Sequence, residues 1–317
     1  MVENREDNIP KQEEEIPRLS TLVLDCDYLC HTVLYSAPAL SHNGFRTEIV
    51  LGFLKRLIKF SSQFRPVNIV FSWDSKTSIR REVYPEYKEN RSDKSKDLTE
   101  EEIENKKIAR EQFSEIRDRI LPDLGFSNVF LQDGYEADDI IASVTKGNED
   151  HKFIIISSDR DLYQLITDKC YMYNPSSMKM RTPNSFKNEW NLDALLWSRV
   201  KSISGCSTDN VSGAEYKTKD GKTRRVGEKT AVKFLNGEIS KETLTYKAIN
   251  DAIENGVVER NKYLVELPMI GTNDYVIEEN NLSRMNFVRM CERYGMKSML
   301  NRITLLKWDD LLIGDLE

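Results

Sequence analysis

Acidic side chains cluster in two short stretches of this 317-residue chain, each beside apolar residues. The stretch GYEADDIIAS carries Glu136, Asp138 and Asp139, and FIIISSDRDL carries Asp159 and Asp161. Two carboxylates about 4 Å apart repel each other by roughly 4 kcal/mol at an effective dielectric constant near 20. Either a partner of opposite charge offsets this repulsion, or the side chains diverge in space.

Divalent cations are the partner that this pattern favours. Short apolar runs end at Asp25, Asp74 and Asp159, and the carboxyl ends of parallel strands form the edge where ligands bind. Mg²⁺ and Mn²⁺ prefer oxygen ligands. A helix start near Glu136 would contribute only about 0.3–1 kcal/mol per charge. For any single Asp a helix cap or a solvated strand end is the simpler interpretation, but for the whole set we favour a metal site.

The elements that would position these acids alternate between strand and helix. TLVLDCDYL and VNIVFSWD have the pattern of buried strands, and EIVLGFLKRLIKFSSQF has the apolar spacing of a helix. The alternation predicts an α/β fold with a twisted, mostly parallel sheet flanked by helices. We expect a sheet domain over residues 20–180 and a helical domain over 181–317. Residues 1–19 are polar and acidic, which is typical of a disordered tail.

Composition excludes several classes of protein. No run of 18 apolar residues is present, which argues against a membrane span, and the first residues lack a signal-peptide core. The five cysteines show no zinc-binding spacing, so we expect reduced thiols and a cytoplasmic location. The net charge of −6 would disfavour a nucleic-acid partner, but local patches matter more than the sum.

Five segments, taken in order, resemble the 5′-nuclease (flap endonuclease) superfamily. They are VLDCDYL, VFSWDSKTSIRREVYPEYKENR, YEADDIIA, ISSDRDLYQL and ISGCSTDNVSG…RRVGEKTA. The likeness is strongest to the RNase H branch found in T-even-type bacteriophages. It implies a PIN-like nuclease core and a helical DNA-binding domain with a helix-hairpin-helix-like motif. It also implies a 5′→3′ exonuclease, flap endonuclease and ribonuclease H that removes RNA primers and 5′ flaps during phage DNA replication.

The resemblance implies two Mg²⁺ ions, for which Mn²⁺ could substitute. Their ligands would be the carboxylates of Asp25, Asp74, Glu136, Asp138, Asp159, Asp161 and Asp209. Asp139 would support these ligands or cap a helix as readily as bind metal. The superfamily usually has Asp three residues before the last of these ligands, whereas this chain has Cys206. The second metal site is therefore expected to be weaker or more hydrated.

The segment SIRREVYPEYKENR mixes cations with aromatic rings, a combination that suits single-stranded nucleic acid. In the superfamily it precedes a flexible arch, here at about residues 82–110. The resemblance implies that Lys88 and Arg81 stabilise the scissile phosphate, and DNA contacts are predicted at Arg80, Tyr87 and Arg91. The alternative is an exposed loop followed by a solvated helix, which we prefer for residues 100–104.

Two downstream segments carry further predictions. The helix-hairpin-helix-like segment would bind duplex phosphates through Lys222, Arg224, Arg225 and Lys229. Its hairpin is lengthened by AEYKTKDGKT, so that K⁺ coordination there is doubtful, and the insertion could be an ordinary surface loop. The terminal LLKWDDLLIGDLE is either a docking peptide or a helix packed on the core.

The expected partners are branched or flapped DNA and RNA–DNA hybrids, bound by a monomer. A single-stranded-DNA-binding protein or a sliding clamp is a candidate protein partner. Two other functions stay open. A PIN-type ribonuclease would share the acidic sheet edge but would lack the YPEYKENR and SGCSTDNVSG segments. A non-catalytic nucleic-acid scaffold would be favoured by loss of the acids, which are all present.

Overall fold

A computed structural model describes residues 20–34, 36–90 and 98–313. In chain order the described strands are β1 (Ser20–Asp25), β2 (Ser41–His42), β3 (Phe45–Arg46), β4 (Asn68–Trp73), β5 (Val129–Leu131), β6 (Lys152–Ile156), β7 (Cys170–Asn174), β8 (Lys179–Arg181), β9 (Gly205–Cys206), β10 (Val211–Ser212), β11 (Glu215–Lys217) and β12 (Thr223–Arg225). Six of them form a central sheet in the order β5-β4-β1-β6-β7-β8. Its strands are parallel except β8, which pairs antiparallel with β7.

Successive residues of the central strands face two different apolar layers. In β1, Leu22 and Leu24 pack into the first layer, and Val23 packs into the second. A sheet buried on both faces is typical of parallel strands with helices on either side. The predicted α/β fold with a mostly parallel sheet is confirmed. Because β4, β1 and β6 are parallel neighbours, their carboxyl ends lie at one edge.

Helices cover both faces of the sheet. In chain order the described α-helices are α1 (Cys26–Leu34), α2 (Glu48–Phe64), α3 (Arg80–Val83), α4 (Glu100–Glu115), α5 (Leu121–Leu124), α6 (Ala137–Gly147), α7 (Pro183–Trp190), α8 (Trp197–Ser204), α9 (Glu228–Leu235), α10 (Leu244–Glu254), α11 (Val257–Val265), α12 (Arg284–Arg293) and α13 (Arg302–Ile313). A π-helical turn, Ile116–Ile120, joins α4 to α5. Among the described helices, none combines the length and apolar character that a membrane span requires.

The region of the predicted arch contains both packed and solvated parts. Residues 91–97, which include Arg91, lie outside the described residues. Before them, Tyr87 is buried with 4% of its surface exposed, in a small apolar cluster with Cys206, Val211, Leu264 and Val265. After them, Thr99 caps α4 in a capping box with Glu102. The first turns of α4 are exposed, as the solvated-helix interpretation of residues 100–104 predicts.

The part of the chain after residue 180 packs on both faces of the sheet. Phe186 and Trp197 join the second apolar layer, together with α9 and α10. Phe287 and Trp308, from α12 and α13, return to the first layer and stack with ring centroids 4.3 Å apart. Trp308 is completely buried, so the terminal segment is a packed helix as far as Ile313. The predicted domain boundary at residue 180 stays a prediction.

Candidate active site

The carboxyl edge of the sheet gathers the acidic side chains. Asp25 is the last residue of β1, Asp74 directly follows β4, and Asp159 lies three residues after β6. Hydrogen bonds orient two of these carboxylates. Ser157 Oγ donates to Asp25 Oδ2 at 2.8 Å, and the amide of Ala137 donates to Asp74 Oδ1 at 2.7 Å. The second bond ties the end of β4 to the start of α6.

Electrostatic repulsion within this group is strong. Burial, followed by the charge of Asp74, raises the pKa of Asp25 to about 7. Burial, followed by the charge of Asp159, raises the pKa of Asp161 to about 6 and the pKa of Asp138 well above its usual value. The charges of these carboxylates therefore act on one another, and a divalent cation would relieve both their repulsion and their desolvation.

Asp161, Cys206 and Asp209 form a second group. One donor atom from each lies within 4.8 Å of the other two, and the Cys206 thiol donates to Asp209 Oδ2 at 3.4 Å. The structure thus brings together the two acids predicted for the second metal site. Cys206, at the position where the resemblance predicts an acid, contributes a sulfur atom to this group.

Glu136 lies immediately before α6, where it meets the base of the predicted arch. Lys88 Nζ donates to Glu136 Oε1 at 2.7 Å, and the Tyr87 hydroxyl donates to Glu136 Oε2 at 3.0 Å. Burial alone would raise the pKa of Glu136, but the charges of Lys88 and Arg80 hold that pKa below its usual value. A narrow cavity joins this cluster to the acids Asp138, Asp159, Asp161 and Asp209.

Arg80 lies in the interior, and the predicted DNA contact at this residue is corrected. Its guanidinium donates to both carboxylate oxygens of Asp139, at 2.6 and 2.8 Å, and its Nε donates to the Leu264 carbonyl at 2.8 Å. Asp139 also accepts from the amides of Met269 and Glu136. Both charged side chains are at least 98% buried. Asp139 therefore caps the start of α6 in a capping box with Glu136.

The neighbours of Arg80 have different environments. Tyr87 is buried and bonded to Glu136, so its predicted contact with DNA is also corrected. Arg81 is exposed, and its Nε donates to the Tyr87 carbonyl at 3.0 Å. Lys88 has a φ of 55°, and its amide donates to the Asp209 carbonyl at 2.8 Å. A positive φ is uncommon for lysine and persists where the surrounding structure imposes it.

Two residues of the site escaped the sequence predictions. Asp27 Oδ2 accepts from the Asp74 amide at 2.8 Å, and burial, then the charge of Asp74, raises the pKa of Asp27 to about 8. The sequence signal for Asp27 was its Asp-x-Asp spacing from Asp25, which recurs between Asp159 and Asp161. Lys201, with 7% of its side chain exposed, lies 2.9 Å from Asp161 Oδ1. A lysine within the apolar-flanked segment WSRVKSIS could have indicated a buried ion pair.

An open cleft of about 630 Å³ connects the acidic edge with a basic surface. Asp25, Asp159 and Asp161 line the cleft, and so do residues 225–228, which include Arg225. Strands β11 and β12 form a two-stranded ribbon beside it. The four basic residues predicted to bind phosphate are all exposed on this ribbon, its turn or the start of α9: Lys222, Arg224, Arg225 and Lys229.

Sequence comparison with known proteins gives one consistent result. Residues 20–191 match the family model described as the 5′-3′ exonuclease N-terminal resolvase-like domain. The 5′-3′ exonuclease of Bacillus subtilis is 30% identical over 232 residues, which cover 71% of this chain and 68% of that protein. DNA polymerase I of Mycobacterium bovis is 28% identical over 71% of this chain. The match spans only 24% of the polymerase.

Solved structures share the fold. The 5′-exonuclease of bacteriophage T5 with bound zinc superposes with a TM-score of 0.64 at 19% identity, covering 93% of this chain and 99% of that one. Human GEN1 in complex with Holliday junction DNA gives a TM-score of 0.54 at 14% identity, covering 93% of this chain and 74% of that one. These structures show the fold, and the family model and the Bacillus subtilis relative place the chain in the class of 5′-nucleases. Within that class, the chain belongs to the 5′-3′ exonuclease family.

Proposed function

We propose that this protein is a Mg²⁺-dependent 5′-nuclease that hydrolyses phosphodiester bonds as a 5′→3′ exonuclease, flap endonuclease and ribonuclease H. One observation carries the proposal: the cleft lined by the carboxylates of Asp25, Asp159 and Asp161 is also lined by Arg225, which belongs to the exposed basic ribbon. Such a cleft can hold the phosphate backbone against the acids. Family membership supports the same chemistry.

The donor set fits divalent metal. The proposed ligands are mainly carboxylates, and burial together with neighbouring acids raises the pKa values of three of them, Asp25, Asp138 and Asp161. Oxygen donors of this kind suit Mg²⁺ or Mn²⁺. We assign Asp25, Asp74, Asp138 and Asp159 to one ion and Asp161 and Asp209 to the other, with Glu136 between them. Two ions held there would supply an activated water and neutralise the charge that develops on the phosphate and the leaving oxygen.

The cationic side chains would act on the substrate. Lys88 lies between Glu136 and Asp209 and is placed to stabilise charge on the scissile phosphate. Arg81 is exposed near it and is our second candidate for that role. The basic ribbon and the start of α9 would bind the duplex backbone through non-specific contacts with phosphate.

The substrates that we propose are flapped or branched DNA and RNA–DNA hybrids, cleaved by a monomer. The fold neighbours support structured DNA, because one T5 structure is a flap endonuclease complex with DNA and the GEN1 structure contains a Holliday junction. Removal of RNA primers and 5′ flaps in phage replication, with a single-stranded-DNA-binding protein or a clamp as partner, is the corresponding biological role.

Cleavage of a 5′-labelled flap and of an RNA–DNA hybrid tests the proposal. We expect Mg²⁺-dependent release of short 5′ products, abolished by chelator and reduced at least about 100-fold by Asp159→Asn, because that change removes a charge from the metal site. The matched control is Asp168→Asn, since Asp168 is exposed at the amino edge of the sheet beside β7, and this variant should retain full activity.

Two outcomes would favour the other functions. Cleavage of single-stranded RNA without dependence on a 5′ end would favour a PIN-type ribonuclease. Retention of duplex binding with no cleavage in Mg²⁺ or Mn²⁺ would favour a non-catalytic scaffold. Loss of activity in the Asp168 variant would mean that the assay reports folding rather than the chemistry of the acidic edge.

A further inference from the structure

Cys206 differs from the other cysteines in its surroundings. Its sulfur lies 3.4 Å from Asp209 Oδ2 and 2.9 Å from Thr208 Oγ1, and it lines the open cleft beside Asp161. The remaining thiols, all within the described chain, are buried in the two apolar layers: Cys26, Cys30, Cys170 and Cys291. Cys206 alone among them shares a site with two carboxylates that point toward the same space.

The backbone holds this arrangement in place. Cys206 pairs with Val211 across the short ladder between β9 and β10, and the intervening turn Ser207–Asp209 brings the carboxylate back toward the sulfur. Gly213 permits the close approach of the two segments, because a Cβ atom there would lie 2.2 Å from the Ser204 carbonyl carbon. Two of the three donor atoms, those of Cys206 and Asp209, are thus supplied by one short turn, and Asp161 approaches them from a distant part of the chain.

We propose that Cys206 gives the second metal site a sulfur ligand, so that this site binds thiophilic divalent ions of the zinc class in preference to Mg²⁺. The inference rests on the proposed function, because it takes the acidic edge to be a metal centre. Thiolate ligands favour softer ions such as Zn²⁺, whereas all-oxygen sets favour Mg²⁺. Three protein ligands with a position left for water is a common arrangement for bound zinc.

The ion would replace two existing interactions. The thiol proton now directed at Asp209 would be released to solvent as the sulfur–metal bond forms, as metal binding to cysteine requires. Lys201 now pairs with Asp161, but its Nζ also lies 3.3 Å from Glu228 Oε1. Lys201 can therefore keep a partner of opposite charge when Asp161 binds the ion.

Direct spectroscopy separates this inference from nuclease activity. The metal-free protein, kept reduced with a phosphine rather than a thiol, is titrated with Cd²⁺ or Co²⁺ alone. We expect a sulfur-to-metal charge-transfer band that grows to one equivalent of ion. Cys206→Ser should lose the band, and Cys170→Ala should keep it because that thiol is buried away from the acids. Cys206→Asp should bind the ion without the band and should gain affinity for Mg²⁺ relative to Cd²⁺.

Each result has a defined meaning. A band that persists in both Cys206 variants, or no band in a wild-type protein that cleaves DNA with Mg²⁺, would overturn the inference and leave the proposed function intact. Absence of both the band and metal-dependent cleavage would overturn both. Circular dichroism of each variant shows whether the fold is retained, and Cys206→Asp keeps the test decisive if the serine variant does not fold.

Discussion

At the scale of single residues, Lys88 combines an unfavourable backbone conformation with contacts to two acids. Its φ is 55°, and its ammonium contacts Glu136 and lies 3.8 Å from Asp209. A conformation of this kind costs of order 1–3 kcal/mol and is retained where the position of the side chain matters. The geometry agrees with the role in phosphate stabilisation proposed for this lysine.

Replacement of Lys88 by alanine is expected to lower kcat on a flap substrate roughly 100- to 1,000-fold, the usual effect of removing one preorganised electrostatic stabiliser. Duplex affinity, measured by fluorescence anisotropy in Ca²⁺, should change little. Lys152→Ala is the control, because Lys152 is exposed at the amino end of β6. A loss confined to affinity, with kcat unchanged, would contradict the proposed role.

Arg80 shows the limit of prediction from sequence at this scale. It stands next to Arg81 in a basic, aromatic-rich segment, and both fitted a nucleic-acid contact equally well. The structure separates them, because Arg80 is buried against Asp139 while Arg81 is exposed. The partner that buries Arg80 is 59 residues away, and local composition carries no information about such a distant pairing.

Breaking this buried pair should destabilise the whole protein. Arg80→Ala leaves Asp139 buried and uncompensated, and we expect it to lower the free energy of unfolding by about 3–5 kcal/mol in urea denaturation. The control is Arg293→Ala, which removes a half-exposed arginine 3.7 Å from Asp123. This variant should change the free energy of unfolding by less than about 1 kcal/mol. If Arg80→Ala unfolds at the wild-type urea concentration, the pair is not a stabilising anchor.

At the scale of elements, the positions of the strand ends could be predicted from the sequence, whereas the basic ribbon could be predicted only in part. The ends of β1, β4 and β6 follow from apolar runs that stop at acids, and parallel pairing then brings those acids together. The lengthened hairpin could equally have been an ordinary surface loop. Its pairing as β11 and β12, with Tyr216 opposite Arg224, depends on contacts that the local sequence does not specify.

The ribbon is expected to contribute affinity rather than catalysis. Replacing Lys222 and Arg224 together by alanine should reduce the slope of log K against log salt by about two, because each lost phosphate contact removes roughly 0.9. The paired control replaces Lys55 and Lys59, which are exposed on α2. Equal slopes in wild type and the ribbon variant would show that DNA does not contact this surface.

At the scale of the whole molecule, the acidic edge links stability to pH and metal. Asp25 and Asp161 have pKa values of about 7 and about 6 in the folded state, against about 3.9 in an unfolded chain. The folded state therefore binds more protons between about pH 4 and 7. The free energy of unfolding of the metal-free protein should accordingly fall as pH rises through this interval.

Thermal unfolding in chelator should show this fall as a lower Tm near pH 8 than near pH 5. Mg²⁺ should raise Tm near pH 8 and have little effect near pH 5, because protonated carboxyls do not bind the ion. Asp25→Asn should raise the Tm of the metal-free protein near pH 8, since it removes a charge from the repelling group. A Tm in chelator that increases steadily from pH 5 to pH 8 would refute the expected linkage.

The return of α12 and α13 to the first apolar layer has a consequence for how the chain could be divided. The family model ends at residue 191. Phe126 lies within the matched residues, and its ring packs edge-on against the ring of Trp308, with the ring centroids 6.1 Å apart. A chain truncated at residue 191 would lack Trp308 and would leave the ring of Phe126 exposed to water on that side. The region that the family model matches is therefore smaller than the packed unit to which it belongs, and moving this region into another protein would require α12 and α13 as well.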